Sequence, residues 1–271
     1  MGTSISYKRP DGKENGGYLA LAAPADAPGI VVIQEWWGVQ DQIKGICDRF
    51  ALAGFNALAP DLYNGAVVPY HDNEAAGKEM DSLNFKDATE QNVRGAAQFL
   101  KRNGSKAGIT GFCLGGVVAV IAAARISEFS AAVPFYGLPP ENEVKPAEVK
   151  MPLQGHFALK DDWITPAMVD AFETGLKTGG KTYEFFRYNA DHGFVNEQRA
   201  ATHDRQAAEL ACRSHLSGAI RSVKRSFTNC WADGKDSACP EERFSPASGH
   251  MRSPTSDWQL GGLEYANPSR L

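Results

Sequence analysis

No stretch of this sequence is apolar for long enough to cross a bilayer. The longest such run, near Gly115 to Ala124, falls far short of the ~20 residues a spanning helix needs. The segment Met1 to Asp11 lacks the apolar core that secretory leaders carry. A basic stripe is missing too: Lys and Arg are scattered and the formal net charge is -4, which argues against nucleic acid and membrane surfaces as partners. The five cysteines, at 47, 113, 212, 230 and 239, form no C-x-x-C pair, and their odd number argues against a complete disulfide framework. His71, His156, His192 and His203 do not stand beside cysteines at zinc-ligand spacing, so no metal is expected. These absences leave a soluble, cytoplasmic protein with reduced thiols as the expectation. With 43% hydrophobic and 22% charged residues the chain has the composition of an ordinary globular protein.

The order of patterns along the chain points to an α/β fold. Two alternating runs, Ser4 to Lys8 and Tyr18 to Ala23, read as antiparallel strands separated by Asp11-Gly12 and Gly16-Gly17. Gly29 to Gln34 is a short β-branched run of the kind buried on both faces of a parallel sheet. From there helices and strands alternate. Helices are expected over Val39 to Ala53, Lys86 to Arg102, Leu114 to Arg125 and Pro166 to Thr178. Strands are expected over Phe55 to Ala59, Lys106 to Thr110, Ala131 to Phe135, Met151 to Phe157 and Lys181 to Tyr188. Such repeated strand-helix-strand units predict a mostly parallel, doubly wound sheet with helices on both faces.

The chemistry centres on Gly111-Phe112-Cys113-Leu114-Gly115-Gly116, a G-x-nucleophile-x-G pattern set between a strand and a helix, where that motif requires it. Its glycines allow a tight strand-to-helix turn that would expose Cys113 at a helix N-terminus, favouring a thiolate and offering the Leu114 N–H to an oxyanion. The plain alternative is a small buried cysteine at a Gly-rich helix start; the absence of a following Lys-Ser/Thr counts against a phosphate-binding loop. His192, after the late strand, supplies a candidate base, and the order nucleophile, acid, histidine matches that of α/β-hydrolases. For the acid, Lys160-Asp161-Asp162-Trp163 offers two aspartates, and spacing alone does not choose between them. Glu35, beside Trp36 and Trp37, is either a partly desolvated carboxylate exchanging a proton with the thiol or an ordinary carboxylate under an aromatic lid. The Trp36 N–H is a second candidate oxyanion donor. Trp37, Tyr63, Tyr136 and Phe194 are candidate pocket aromatics for a compact substrate, or core.

Taken together, Gln34 to Val39, Ala59-Pro60-Asp61-Leu62-Tyr63, Gly111 to Gly116, Phe135-Tyr136-Gly137, Lys160-Asp161 and Asp191-His192-Gly193-Phe194 resemble the dienelactone hydrolase family, the carboxymethylenebutenolidases, across about Ile5 to Ala211. The resemblance implies the α/β-hydrolase fold and a triad of Cys113, His192 and Asp161, with Asp161 preferred to Asp162. It implies Glu35 beside the resting thiol until substrate displaces it, and Leu114 and Trp36 as oxyanion donors. Trp36, Trp37, Tyr136, Leu114 and Phe194 would meet the substrate. The reaction it implies is cofactor-free cleavage of a small ester or lactone through an acyl-cysteine, in a monomer or weak homodimer.

Two departures from the family pattern stand out. Where the family places a carboxylate-binding arginine shortly after the histidine, this chain has Val195-Asn196, and no arginine stands between Phe50 and Thr89; Arg199 and Lys78 are the candidate substitutes. The family usually finishes with one amphipathic helix; Thr202 to Leu210 begins such a helix, and Cys212-Arg213-Ser214-His215 interrupts its expected apolar stripe. Residues 212–271, rich in Ser, Arg, Gly and Pro, read as an atypical, poorly ordered tail beyond a 1–211 hydrolase domain; a natural extension and an altered reading frame both fit its composition. A redox-reactive Cys113 and a catalytically inactive binding scaffold are the competing functional classes.

Overall fold

A computed structural model describes residues 1–24, 26–102 and 106–217. It contains one eight-stranded sheet in the order β1-β2-β4-β3-β5-β6-β7-β8. The strands are β1 (Thr3–Lys8), β2 (Glu14–Ala20), β3 (Gly29–Ile33), β4 (Asn56–Pro60), β5 (Ala107–Phe112), β6 (Phe129–Phe135), β7 (Leu153–Lys160) and β8 (Tyr183–Asp191). Strands β3 to β8 pair in parallel, and β2 runs antiparallel to both β1 and β4. The doubly wound parallel sheet expected from the alternating pattern is therefore present, with an antiparallel pair at one edge.

The period-2 geometry of the strands divides the core in two. On β3, Val31 and Ile33 join one cluster with helices α4 (Arg94–Leu100), α5 (Leu114–Arg125) and α6 (Pro166–Thr178). Ile30 and Val32 join the other, with helices α1 (Asp41–Leu52) and α7 (Arg205–Ser217). Helix α5 lies deepest and is apolar nearly all round, as a helix enclosed by the fold must be. On α7 the buried residues among those whose side chains are described are Ala207, Ala208 and Ala211. That helix runs on to Ser217, and Cys212 and Arg213, where the apolar stripe is expected to break, are exposed. Residues 218–271, which hold most of the predicted tail, lie outside the described residues.

Three local readings are corrected. Gly16 and Gly17 sit inside β2, paired with Ser6 and Ile5, rather than in a turn. The reversal is made by Asp11-Gly12 alone, where Gly12 takes φ 84 and Arg9 and Lys13 close the hairpin by a hydrogen bond of 2.8 Å. Helix α2 (Asn73–Ser82) escapes the hydrophobic pattern because only Ala76 on it is buried; Asp72 caps it through the Ala75 N–H at 2.9 Å. The predicted helix from Lys86 is not one continuous α-helix. It comprises α3 (Phe85–Asp87), a π-helical stretch over Ala88–Val93 and then α4. Within the π stretch the Asn92 carbonyl accepts from the Tyr7 hydroxyl at 2.8 Å, tying this helix to β1.

Leu58, fully buried between Leu19 of β2 and Val31 of β3, tests the integrity of this core. Leu58→Ala is expected to lower the unfolding free energy by about 2 to 5 kcal/mol in a urea titration, because the cavity it leaves is walled by sheet backbone that relaxes little.

Candidate active site

Cys113 occupies the single residue between β5 and α5, with φ 55 and ψ -118. A non-glycine residue is rarely held there, and persists only where its surroundings over-determine it. Those surroundings are backbone. A Cβ on Gly111 would collide with the Gly115 carbonyl, and one on Gly115 would come within 2.5 Å of the Ile33 oxygen and 2.6 Å of the Gln34 oxygen. The Cys113 N–H donates to the Phe135 carbonyl at 3.1 Å, and its own carbonyl accepts from Gly116 at 2.8 Å. The elbow is thus clamped between β3 and β6.

Strand ends bring the other groups to the same edge of the sheet. Asp161 directly follows β7 and is buried; its Oδ1 accepts from the backbone N–H of Trp163 at 2.8 Å and of Ile164 at 2.9 Å. Its Oδ2 lies 2.7 Å from Nδ1 of His192, which directly follows β8. A carboxylate only accepts, so Nδ1 carries the proton and Nε2 is left to act on its neighbours. Between the two aspartates that spacing leaves open, Asp161 is the one against the imidazole, while Asp162 is exposed on the rim. His192 Nε2 is buried without a well-formed hydrogen bond. The imidazole pKa is pushed up from 6.5 to about 10. Burial opposes this, and is outweighed by the electrostatic influence of the neighbouring Cys113 sulfur and by the hydrogen bond and charge of Asp161.

Glu35, at the end of β3, is also buried. Its Oε1 accepts from the Tyr136 hydroxyl at 3.1 Å and its Oε2 from Asn196 Nδ2 at 2.6 Å. Burial drives its pKa upward, against the hydrogen bond of Asn196, the charge of His192, the hydrogen bond of Tyr136 and the charge of Arg199. No hydrogen bond joins Glu35 to Cys113. Tyr136, like Cys113, has a positive φ, of 35°.

These groups surround a cleft of about 270 Å³ whose walls include Glu35, Trp36, Trp37, Cys113, Trp163 and His192. Of the predicted substrate-contacting residues, Trp36 and Trp37 line it. Tyr136 and Phe194 do not: both are fully buried in the layer beneath, with ring centroids 5.4 Å apart. The Leu114 side chain is buried as well. Neither the Leu114 N–H nor the Trp36 N–H has an acceptor among the described residues. Tyr63 lines a separate, polar hollow of about 240 Å³ with Arg9, Glu79 and Asn92. Of the two substitute cations, Arg199 reaches the cleft, its guanidinium 5.6 Å from the Trp37 ring centre, while Lys78 pairs with Glu74 on the surface of α2. No group of three or more His, Cys, Asp or Glu side chains among the described residues is placed to hold a metal ion.

Two residues of the cleft are not anticipated. Trp163 stands 42% exposed, edge-on to Trp36 at 5.1 Å and tilted toward His192 at 5.3 Å; its place directly after the paired aspartates was the available signal. Asn196 meets Glu35 at the position where the family pattern leads one to expect an arginine, so the departure itself marked the residue.

The model of the dienelactone hydrolase family matches residues 16–217. "Protein usf" of Aquifex pyrophilus is 34% identical over 216 residues, covering 75% of this chain and 91% of its own. A "Putative carboxymethylenebutenolidase" of Aquifex aeolicus is 34% identical over 220 residues, covering 77% and 93%. The crystal structure of a "Putative Dienelactone Hydrolase" from Klebsiella pneumoniae superposes with a TM-score of 0.70 at 28% identity, over 80% of this chain and 98% of that one. No helix among the described residues is long and apolar enough to cross a membrane.

The raised His192 pKa carries a signed consequence for stability. The folded protein holds a proton that the unfolded chain releases near 6.5, so the contribution of His192 is fully present below that pH and lost as pH rises through about 10. The stability difference between the parent and His192→Asn, measured by urea denaturation, should shrink across that window.

Proposed function

The chain belongs to the dienelactone hydrolase family, and from that premise we propose that it hydrolyses a small ester or lactone through an acyl-cysteine on Cys113. The observation that carries this reading is the strained elbow at Cys113 together with the 2.7 Å contact between His192 and Asp161. Strain is retained where it serves a site, and here it holds the thiol at the wall of the cleft.

In the proposed reaction the Cys113 thiol gives its proton to Nε2 of His192 and the sulfur attacks the carbonyl carbon, while charge gathers on the carbonyl oxygen. The N–H groups of Leu114 and Trp36, unoccupied and at the ends of α5 and β3, would stabilise that oxyanion. Collapse expels the alcohol or opens the ring, with His192 donating a proton through Nε2 to the leaving oxygen. His192 then takes a proton from water, which attacks the acyl-cysteine and regenerates the thiol. Asp161 fixes the imidazole by its single free oxygen, since Oδ1 is already occupied by two backbone donors. The cleft volume and the indole walls of Trp36, Trp37 and Trp163 favour a compact, flat acyl or leaving group.

Steady-state hydrolysis of a short-chain aryl ester and of a dienelactone tests the proposal. Cys113→Ala should lower kcat by about 10³-fold or more for whichever substrate is turned over, with the far-UV spectrum retained. Full activity in Cys113→Ala would overturn it.

A further inference from the structure

Glu35 is the most deeply buried carboxylate of the cleft, and the way it is held differs from what the family resemblance leads one to expect. The expected partner of its carboxylate is the resting thiol. Here both oxygens are engaged elsewhere, by the Tyr136 hydroxyl at 3.1 Å and the Asn196 amide at 2.6 Å. The amide is itself fixed. Its Oδ1 accepts from the Gln198 N–H at 3.0 Å, which turns Nδ2 toward the carboxylate and forbids the flipped alternative. Tyr70, from the loop ahead of α2, stands edge-on to Trp37 at 5.5 Å on the same side of the cleft. Asn196 is fully buried, so this is a satisfied polar network inside the wall of the cleft.

We propose that Asn196 is a positioning residue that, with Tyr136, pins the Glu35 carboxylate away from Cys113, leaving the resting thiol to pair with His192 before any substrate arrives. The proposal rests on reading Cys113 as the nucleophile. The groups that face Glu35 make its sense clear. Asn196 and Tyr136 are neutral donors that satisfy the carboxylate without supplying a charge, whereas an arginine at 196 would bring one. His192 and Arg199 are the cations that act on Glu35, and Cys113 and Tyr136 are the other acidic groups of the cluster. A carboxylate released from its pin shares the cleft wall with Cys113 and could accept from its S–H. A thiol that donates to a carboxylate keeps its proton, because a second negative charge beside the first is disfavoured. On this account substrate is not needed to activate the thiol, and Asn196 is the residue that removes the need.

The rate at which iodoacetamide alkylates Cys113 in the substrate-free, full-length protein, followed against pH by mass spectrometry, reads the state of the thiol directly. Asn196→Leu should slow alkylation at neutral pH by about 10-fold and move the profile to higher pH. Tyr136→Phe, which removes one hydrogen bond with little change of volume, should move it in the same direction by less. In a Glu35→Gln background Asn196→Leu should have no further effect on the profile, because the group through which it acts has lost its charge. Unchanged or faster alkylation in both single variants, or an equal effect of Asn196→Leu with and without Glu35, overturns the proposal. If Asn196→Leu does not fold, Tyr136→Phe alone and combined with Glu35→Gln decides by the same criterion. The readout needs no turnover, so a protein that hydrolyses neither test substrate but shows this coupling would sink the hydrolase reading and leave the positioning role standing.

Discussion

The backbone contact between the Cys113 turn and the end of β3 is the constraint on which the rest of the site depends. Gly115 lies so close to the Ile33 and Gln34 carbonyls that no side chain fits between them, and Gly111 packs on Gly115 in the same way. That contact sets the height at which α5 begins relative to the sheet. It also fixes how far Glu35 and Trp36, the residues that follow, stand from Cys113. Clamped from the other side by the Phe135 carbonyl, the turn keeps a conformation that an isolated peptide would leave at once. The sheet, with its two apolar faces filled separately, is the rigid body that makes such a clamp possible.

Electrostatically the cleft is a set of groups whose preferences are pushed apart. His192 is drawn toward its charged form by Cys113 and Asp161, while Glu35 is pushed by burial toward its neutral one. Neither shift comes from a metal-like concentration of charge. The Glu35 shift arises from desolvation, offset in part by the hydrogen bond of Asn196, whereas the His192 shift comes from Cys113 and Asp161 acting against desolvation, so single partners such as Asn196 and Asp161 carry weight in this site.

Much of this was legible in the sequence, and the reasons differ by element. Helices α5 and α6 match their expected bounds, Leu114–Arg125 and Pro166–Thr178, because each has an unambiguous start and an apolar face. Cys113 and His192 stood out because each falls at a strand end, where chain order constrains geometry, whereas spacing left Asp161 and Asp162 open and only the family resemblance preferred Asp161. Helix α2 was not visible, since a helix that buries one alanine leaves no periodic trace. The π-helical stretch escapes for another reason: the hydrogen-bond shift that creates it leaves the hydrophobic pattern nearly intact. Tyr136 and Phe194 sit close to the chemistry in sequence yet behind it in space, a distinction that depends on which face of the last strands each ring takes. Sequence reading treated aromatic residues near motifs as one class, and packing separates them.

The loop after β7 joins two tasks in one short segment. Asp161 fastens itself to the backbone of Trp163 and Ile164, and Trp163 in turn forms part of the wall that a bound molecule would touch. The wall and the acid therefore move as one piece. Variation that reshapes the cleft at this position is transmitted to the orientation of the imidazole, whereas variation at Trp37, whose strand end carries no member of that hydrogen-bonded chain, is not. Divergence of ligand preference within such a scaffold should accordingly proceed from the β3 side of the cleft, with the β7 side held still.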